Sequence, residues 1–184
     1  MIEIVQNGHS VLRQISKSVD VDTISSNEIK KVLLDMKEAL DSQEDGVAIA
    51  APQIGIPLRI FIVSGKIFDS EFVRGKKSHL SLKVKEIPRD LVCINPVFKK
   101  ISSDRKLLSE GCLSVRPIYG KVRRATRATI EAYDENGDVF VKDGSGLLAH
   151  IFQHEIDHLD GILFIDKARD LHESTSEEEY SLQK

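Results

Sequence analysis

Residues 147 to 159, LLAHIFQHEIDHL, are apolar around most of a helical circumference, yet they carry two histidines four apart with a glutamate directly after the first. A helix of that kind must be buried on nearly every side, so the rest of the chain has to pack around it. At about 100° per residue, His158 lies about 40° from His154, one turn on and pointing the same way. Leu147 and Ile151 share that side. Glu155 falls between Ile151 and Leu148, with Phe152, Leu159 and Ile156 beyond it, while His150, Gln153 and Asp157 are assigned to the opposite side. A carboxylate inside an apolar envelope is costly unless it is paired, hydrogen-bonded or close to a cation. A solvated charged face would have put these residues opposite the leucines.

H-E-x-x-H on a helix is the arrangement in which two imidazoles bind one metal and the glutamate acts as general base. A lone buried histidine is usually a satisfied core residue; a pair flanking a buried acid has few structural explanations. A catalytic site commonly has three protein ligands, so His154 and His158 call for a partner. The metzincin pattern keeps Gly161 but meets Phe164 where its third histidine belongs. Glu173, Glu177, Glu178 and Glu179 lie downstream in an acidic stretch with little apolar content to hold a carboxylate rigidly. Cys112, in SEGCLSV (109–115), is the remaining route. The need for a third ligand favours it, whereas Cys93, between Val92 and Ile94, reads as a small core residue.

The chain has 184 residues, enough for one domain with a real core, and a net charge of −3. That balance shows no general basic bias, so nucleic acid is not expected as a direct partner. MIEIVQNGHS lacks the features of a secretion signal and no apolar run approaches a membrane span, so the expected location is the cytoplasm, with reduced thiols.

Residues 25 to 40 read as an amphipathic surface helix. Ser25 and Glu28 have capping-box spacing, and Ile29, Val32, Leu33, Met36 and Leu40 form one stripe. LRIFIVS (58–64) reads as a buried strand, HLSLKVKEI (79–87) as an exposed strand or hairpin, and LVCIN (91–95) as a strand stopped by Pro96. Asn136–Gly137 marks a hairpin within residues 128–143, and Ser145 is placed to cap the late helix. The expected class is α+β: antiparallel and mixed sheets packed around a central C-terminal helix, with an N-terminal surface helix. Residues 1–170 form the expected catalytic domain and 171–184 an acidic tail.

GVAIAAPQ (46–53), EGCLS (110–114) and QHEIDHLDG (153–161) together resemble the three signature motifs of the peptide deformylase family. VLRQISKSV (11–19), INPVF (94–98) and GILFIDK (161–167) extend the likeness over most of residues 1–168. The resemblance implies a metal-dependent hydrolase that removes the formyl group from the N-terminal formylmethionine of new proteins, near the ribosome exit. It implies that Cys112, His154 and His158 hold Fe(II), the same site also accepting zinc, nickel or cobalt. Glu155 is then the general base and acid; the Gln53 amide and the Leu113 N–H stabilise the charge on the formyl oxygen. Gly46 and Ala48 border the substrate, and Glu110, Gln153 and Asp160 have supporting places.

Two positions depart from the family pattern. Ala48 stands where a second glycine is usual, which bears on the pocket. Tyr119 stands where an arginine commonly meets the peptide's outer end, leaving Arg116 or Arg124 to take that contact. An H-E-x-x-H endopeptidase using a tail glutamate, and a metal-stabilised scaffold without activity, are the alternatives. The scaffold reading fits poorly with a chain that keeps both Glu155 and Gln53.

Overall fold

The structure is a computed structural model and describes residues 2–69, 88–175 and 178. Helix α1 is Asn27–Asp41 and helix α2 is Leu147–Leu159. The strands are β1 (Ala48–Ala50), β2 (Ile60–Val63), β3 (Leu91–Ile101), β4 (Arg105–Gly111), β5 (Ile118–Ala125), β6 (Arg127–Tyr133), β7 (Val139–Ser145) and β8 (Arg169–Glu173). They form a five-stranded sheet in the order β1-β2-β3-β6-β7 and a three-stranded sheet in the order β4-β5-β8. Their ladders are antiparallel, and among the described residues an isolated bridge between Lys17 and Leu58 is parallel. The α+β class expected from sequence holds.

The larger sheet lies between the two helices, and the alternation of β2 shows how. Ile60 and Ile62 join Ile49, Val92 and Ile94 against Ile29, Leu33, Met36 and Leu40 of α1. Phe61 and Val63 point the other way and join Ala48, Ala50, Cys93 and Ile130 against Ile151, Phe152 and Ile156 of α2. A strand covered on both faces has no polar side, which is why Ile60–Val63 is an unbroken apolar run. Cys93 is indeed a core residue. Helix α1 starts one residue later than its sequence suggests: Ser26, not Ser25, is the N-cap, accepting from Ile29 N at 3.3 Å.

Three other expectations change. Strand β3 does not stop at Pro96 but runs on to Ile101. Pro96 sits where the β3–β6 register shifts, beside Asn95 at φ 52°, so its missing N–H falls in an irregularity and not in the regular ladder. Asn95 is held there by a two-way bond with the Val19 backbone, both distances 2.8 Å. Ser145 does not cap α2. It is the last residue of β7, paired with Arg127, and the sharp strand-to-helix turn falls on Gly146 at φ 54° and ψ −126°, a conformation suited to glycine. Residues 171–173, expected in the tail, belong to β8, where Glu173 pairs with Ile118 and His172 with Tyr119. The 134–138 hairpin turn forms as expected, with Gly137 at φ 88°, whereas the segment HLSLKVKEI lies outside the described residues.

Candidate metal centre

Helix α2 is buried along most of its length, with Glu155 and His158 almost wholly enclosed and His154 only partly exposed. Cys112 follows directly on the end of β4 and meets the helix from the other sheet. Cys112, His154 and His158 are the group that can hold a metal among the described residues, each offering an atom within 4.8 Å of the other two. Cys112 Sγ is 3.2 Å from His158 Nε2. Tetrahedral coordination at ordinary metal–sulfur and metal–nitrogen lengths separates such donors by about 3.6 Å, so the cluster has the spread one ion needs. Glu173, one of the carboxylates weighed as third ligand, is exposed on β8 and outside this group; Glu177 and Glu179 are not among the described residues.

The remaining faces of the cluster are set by hydrogen bonds. Gln53 Oε1 accepts from the Ala50 N–H at 2.8 Å, which orients the amide so that Nε2 faces Ser114 Oγ at 3.2 Å and Cys112 Sγ at 3.6 Å. The Ser114 N–H also donates to the sulfur, at 3.4 Å, and Gln6 Nε2 donates to the Leu113 carbonyl at 3.0 Å, which fixes the Leu113 peptide beside the cluster. Gly111 precedes the cysteine because the ring of Tyr119, its cross-strand partner, lies on it: a Cβ there would stand 2.4 Å from the ring.

Glu110 is the hub behind the ligands. Its Oε2 is 2.9 Å from His154 Nδ1 and its Oε1 is 2.7 Å from His150 Nε2. Arg124 grips both oxygens at 2.6 and 3.0 Å, and also reaches Asp157 at 2.6 Å. Burial alone would raise the Glu110 carboxyl, but the bonds from His150, His154 and Arg124 hold it far below the usual carboxylate range. It therefore stays ionised and accepts a hydrogen bond from the His154 Nδ1–H, leaving Nε2 free for the cluster. Burial lowers His154 too, yet its bonds to Cys112 and Glu110 carry it well above the ordinary imidazole value. His158 is pushed well below by burial and by the charge on His154. Positive charge at the His154 ring is thus favoured by the sulfur in front of it and the anionic Glu110 behind it, which suits the donor set to a cation.

Glu155 differs. Burial pushes its carboxyl up to about 7, and its Oε2 is enclosed with no hydrogen-bond partner among the described residues, as is His158 Nδ1. A buried carboxyl that keeps one oxygen unused can take and return a proton near neutrality.

His150, expected from sequence on the side opposite the two ligands, stands instead on theirs, bonded to the same Glu110 as His154. Position 150 is four before 154, so it lies about 40° from it, in one row with 154 and 158. The i, i+4, i+8 spacing was the signal. Gln153 is buried as well, bonding both ways to the Ala125 backbone at 2.9 and 3.0 Å, and so ties α2 to the end of β5. Asp160 pairs with Arg59 at 2.7 Å beside the C-terminus of α2. Gly46 is close to its own chain: a Cβ there would meet Gln43 and Leu40, each at 3.0 Å. Ala48 is buried opposite Val63 in the sheet. Of the two arginines weighed for the peptide's outer end, Arg124 is consumed by Glu110 and Asp157. Arg116 remains partly exposed and pairs with Asp45 at 2.5 Å, joining the segment after Cys112 to the one before Gly46.

The family model for polypeptide deformylase matches residues 1–174. The chain belongs to the polypeptide deformylase family. Peptide deformylase of Desulfitobacterium hafniense is 40% identical over 168 residues, covering 91% of this chain and 94% of that protein. Peptide deformylase 1A of Arabidopsis thaliana, a chloroplast and mitochondrial protein, is 37% identical over 171 residues, 90% of this chain and 60% of its own length. The chain therefore spans about three fifths of that plant relative. The class I type b peptide deformylase of Acinetobacter baumannii, solved with Met-Ala-Ser bound, superposes with a TM-score of 0.74. It is 30% identical, and the match covers 91% of this chain and 98% of that one. The deformylase-family match reaches through β8, consistent with that strand being part of the fold.

Proposed function

We propose that this chain is a peptide deformylase, a metal-dependent hydrolase that removes the formyl group from the N-terminal formylmethionine of newly synthesised proteins. One observation carries the reading: a cysteine from the edge of one sheet, and two histidines and a buried glutamate with an unused oxygen from one helix, converge with a fixed amide donor from the turn after β1 beside the sulfur. Cys112, His154 and His158 would hold one divalent ion. When bound, such an ion polarises the formyl oxygen and acidifies water. Glu155 takes the proton of the attacking water and delivers it to the departing amine as the C–N bond breaks, leaving formate and a free N-terminus. The Gln53 Nε2 and the Leu113 N–H face the oxygen on which charge builds. Ala48 lines the substrate side, and Gly46 carries the loop that leads into it. Arg116 is the cation that meets the outer part of the peptide in place of the family's arginine.

Iron(II) is the proposed native metal, although one sulfur and two imidazoles also suit zinc, nickel and cobalt. The proposed setting is the cytoplasm, near the ribosome exit where formylated N-termini emerge. The catalytic unit would close with β8, the acidic tail following it. Among the described residues no helix is long and apolar enough to cross a membrane.

The test is turnover of a formyl-Met peptide beside its acetyl counterpart, with metal content measured on the same sample. Hydrolysis of the formyl peptide alone supports the reading; cleavage of internal peptide bonds, or no turnover with metal bound, refutes it. Anaerobic Fe(II) should restore activity lost on aerobic purification, and equal rates for anaerobic zinc and iron forms would remove the iron preference.

A further inference from the structure

The overall charge of −3 conceals an asymmetry on the second sheet. Arg105 and Leu107 of β4, Lys121 and Arg123 of β5, Arg169 of β8 and Lys167 just before it line one open cavity of about 260 Å³. The register explains the clustering: Leu107 pairs with Arg123, and Lys121 stands directly opposite Arg169. All are exposed. Lys167 is engaged with Asp157 at 2.7 Å, and Lys121 has Asp170 at 4.0 Å. Arg105, Arg123 and Arg169 make no ion pair among the described residues. Like charges facing each other across strands destabilise a sheet, and nothing in the packing requires five cations here.

We infer that this face binds the phosphate backbone of a single-stranded nucleic acid. The cations spread over three strands, so one small anion cannot engage them together, whereas a repeating polyanion can. Three are arginines, whose planar forks match phosphate oxygens in pairs. The lining offers no aromatic platform for bases, so binding is by charge and not by sequence. A duplex, stiff over far more than the width of three strands, lays few phosphates on a face this small, while a flexible strand can follow it. A lipid surface would need more apolar reach than one exposed leucine at the centre supplies.

The experiment is fluorescence anisotropy of a labelled single-stranded RNA oligonucleotide titrated with the metal-loaded full-length chain at several salt concentrations. The expected dissociation constant is about 1–100 μM at physiological salt, weakening steeply as salt rises. The triple reversal R105E/R123E/R169E should weaken binding about tenfold or more. It should also reduce the slope of log affinity against log salt by about 2, at about 0.7 per lost phosphate contact. Circular dichroism and formyl-peptide turnover should be unchanged, since none of the three touches the metal centre. The glutamine triple variant should show a smaller loss, and it decides the matter if the reversal misfolds. Affinity unchanged in both variants overturns the inference, as does no binding at low salt. Equal binding to polyglutamate, duplex DNA or phosphatidylserine vesicles overturns the choice of a single-stranded nucleic acid, and a single-stranded DNA of the same length should bind as the RNA does.

Discussion

At the level of single residues the centre depends on unequal treatment of two neighbouring carboxylates. Glu110 is saturated with donors and stays charged; Glu155 is buried with an oxygen left over and rises to about 7. Replacing Glu155 by glutamine keeps shape and removes the proton acceptor. We expect kcat to fall about 10²–10⁴-fold with metal content unchanged, which pairs a rate measurement with metal analysis. Arg116 tests a different contact. Arg116→Ala removes an exposed charge bound to Asp45, so KM for formyl peptides should rise several-fold while kcat changes little. A fall in kcat with KM unmoved would deny it a binding role. The ligand residues were legible because their types and spacing are chemical requirements. The row of histidines was equally legible, yet the place of His150 emerged only when Glu110, forty residues earlier, was brought to it.

The elements explain why the ligands stand where they do. Helix α2 carries two of them and is fixed to β5 through Gln153, whose side chain replaces a strand partner for Ala125. Gln153→Leu conserves size but strands a buried N–H and a buried carbonyl. At about 1–3 kcal/mol for each unsatisfied group, we expect urea denaturation to show a loss of about 2–6 kcal/mol. A loss below 0.5 kcal/mol, on the order expected for a neutral surface change, would mean the two bonds do not anchor the helix. Periodicity revealed α1, α2 and β2, because each has a continuous apolar pattern. It failed at Pro96 and Ser145 for a common reason: both residues carry strong local signals, and pairing with a neighbouring strand overrode them. Edge strand β8 was hidden because RDLHE has no buried face to impose alternation.

For the whole molecule, the centre lies where the two sheets meet the helix between them. Cys112 comes from the small sheet, Gln53 from the turn after β1, and the histidines from α2. Glu110, Arg124 and Asp157 bind these parts together through a buried charge network. Glu110→Gln should therefore lower metal affinity about 10–100-fold and also destabilise the fold, because Arg124 is left buried with one partner. A metal-binding isotherm and a melting curve on the same preparation would read both effects; loss of stability with intact affinity would reduce Glu110 to a structural role. No pattern within one segment could show this convergence, since its members are contributed by three separate stretches.

The most direct measurement is the metal stoichiometry of the wild-type chain, Cys112→Ala and Glu178→Ala after equilibration with Co(II) under exclusion of oxygen. The account expects one tightly held ion per wild-type chain with a sulfur-to-cobalt absorption band, both lost in Cys112→Ala and both retained in Glu178→Ala. A tightly held ion persisting in Cys112→Ala, or wild-type protein without the sulfur band, would contradict a centre shared between the late helix and the residue after β4.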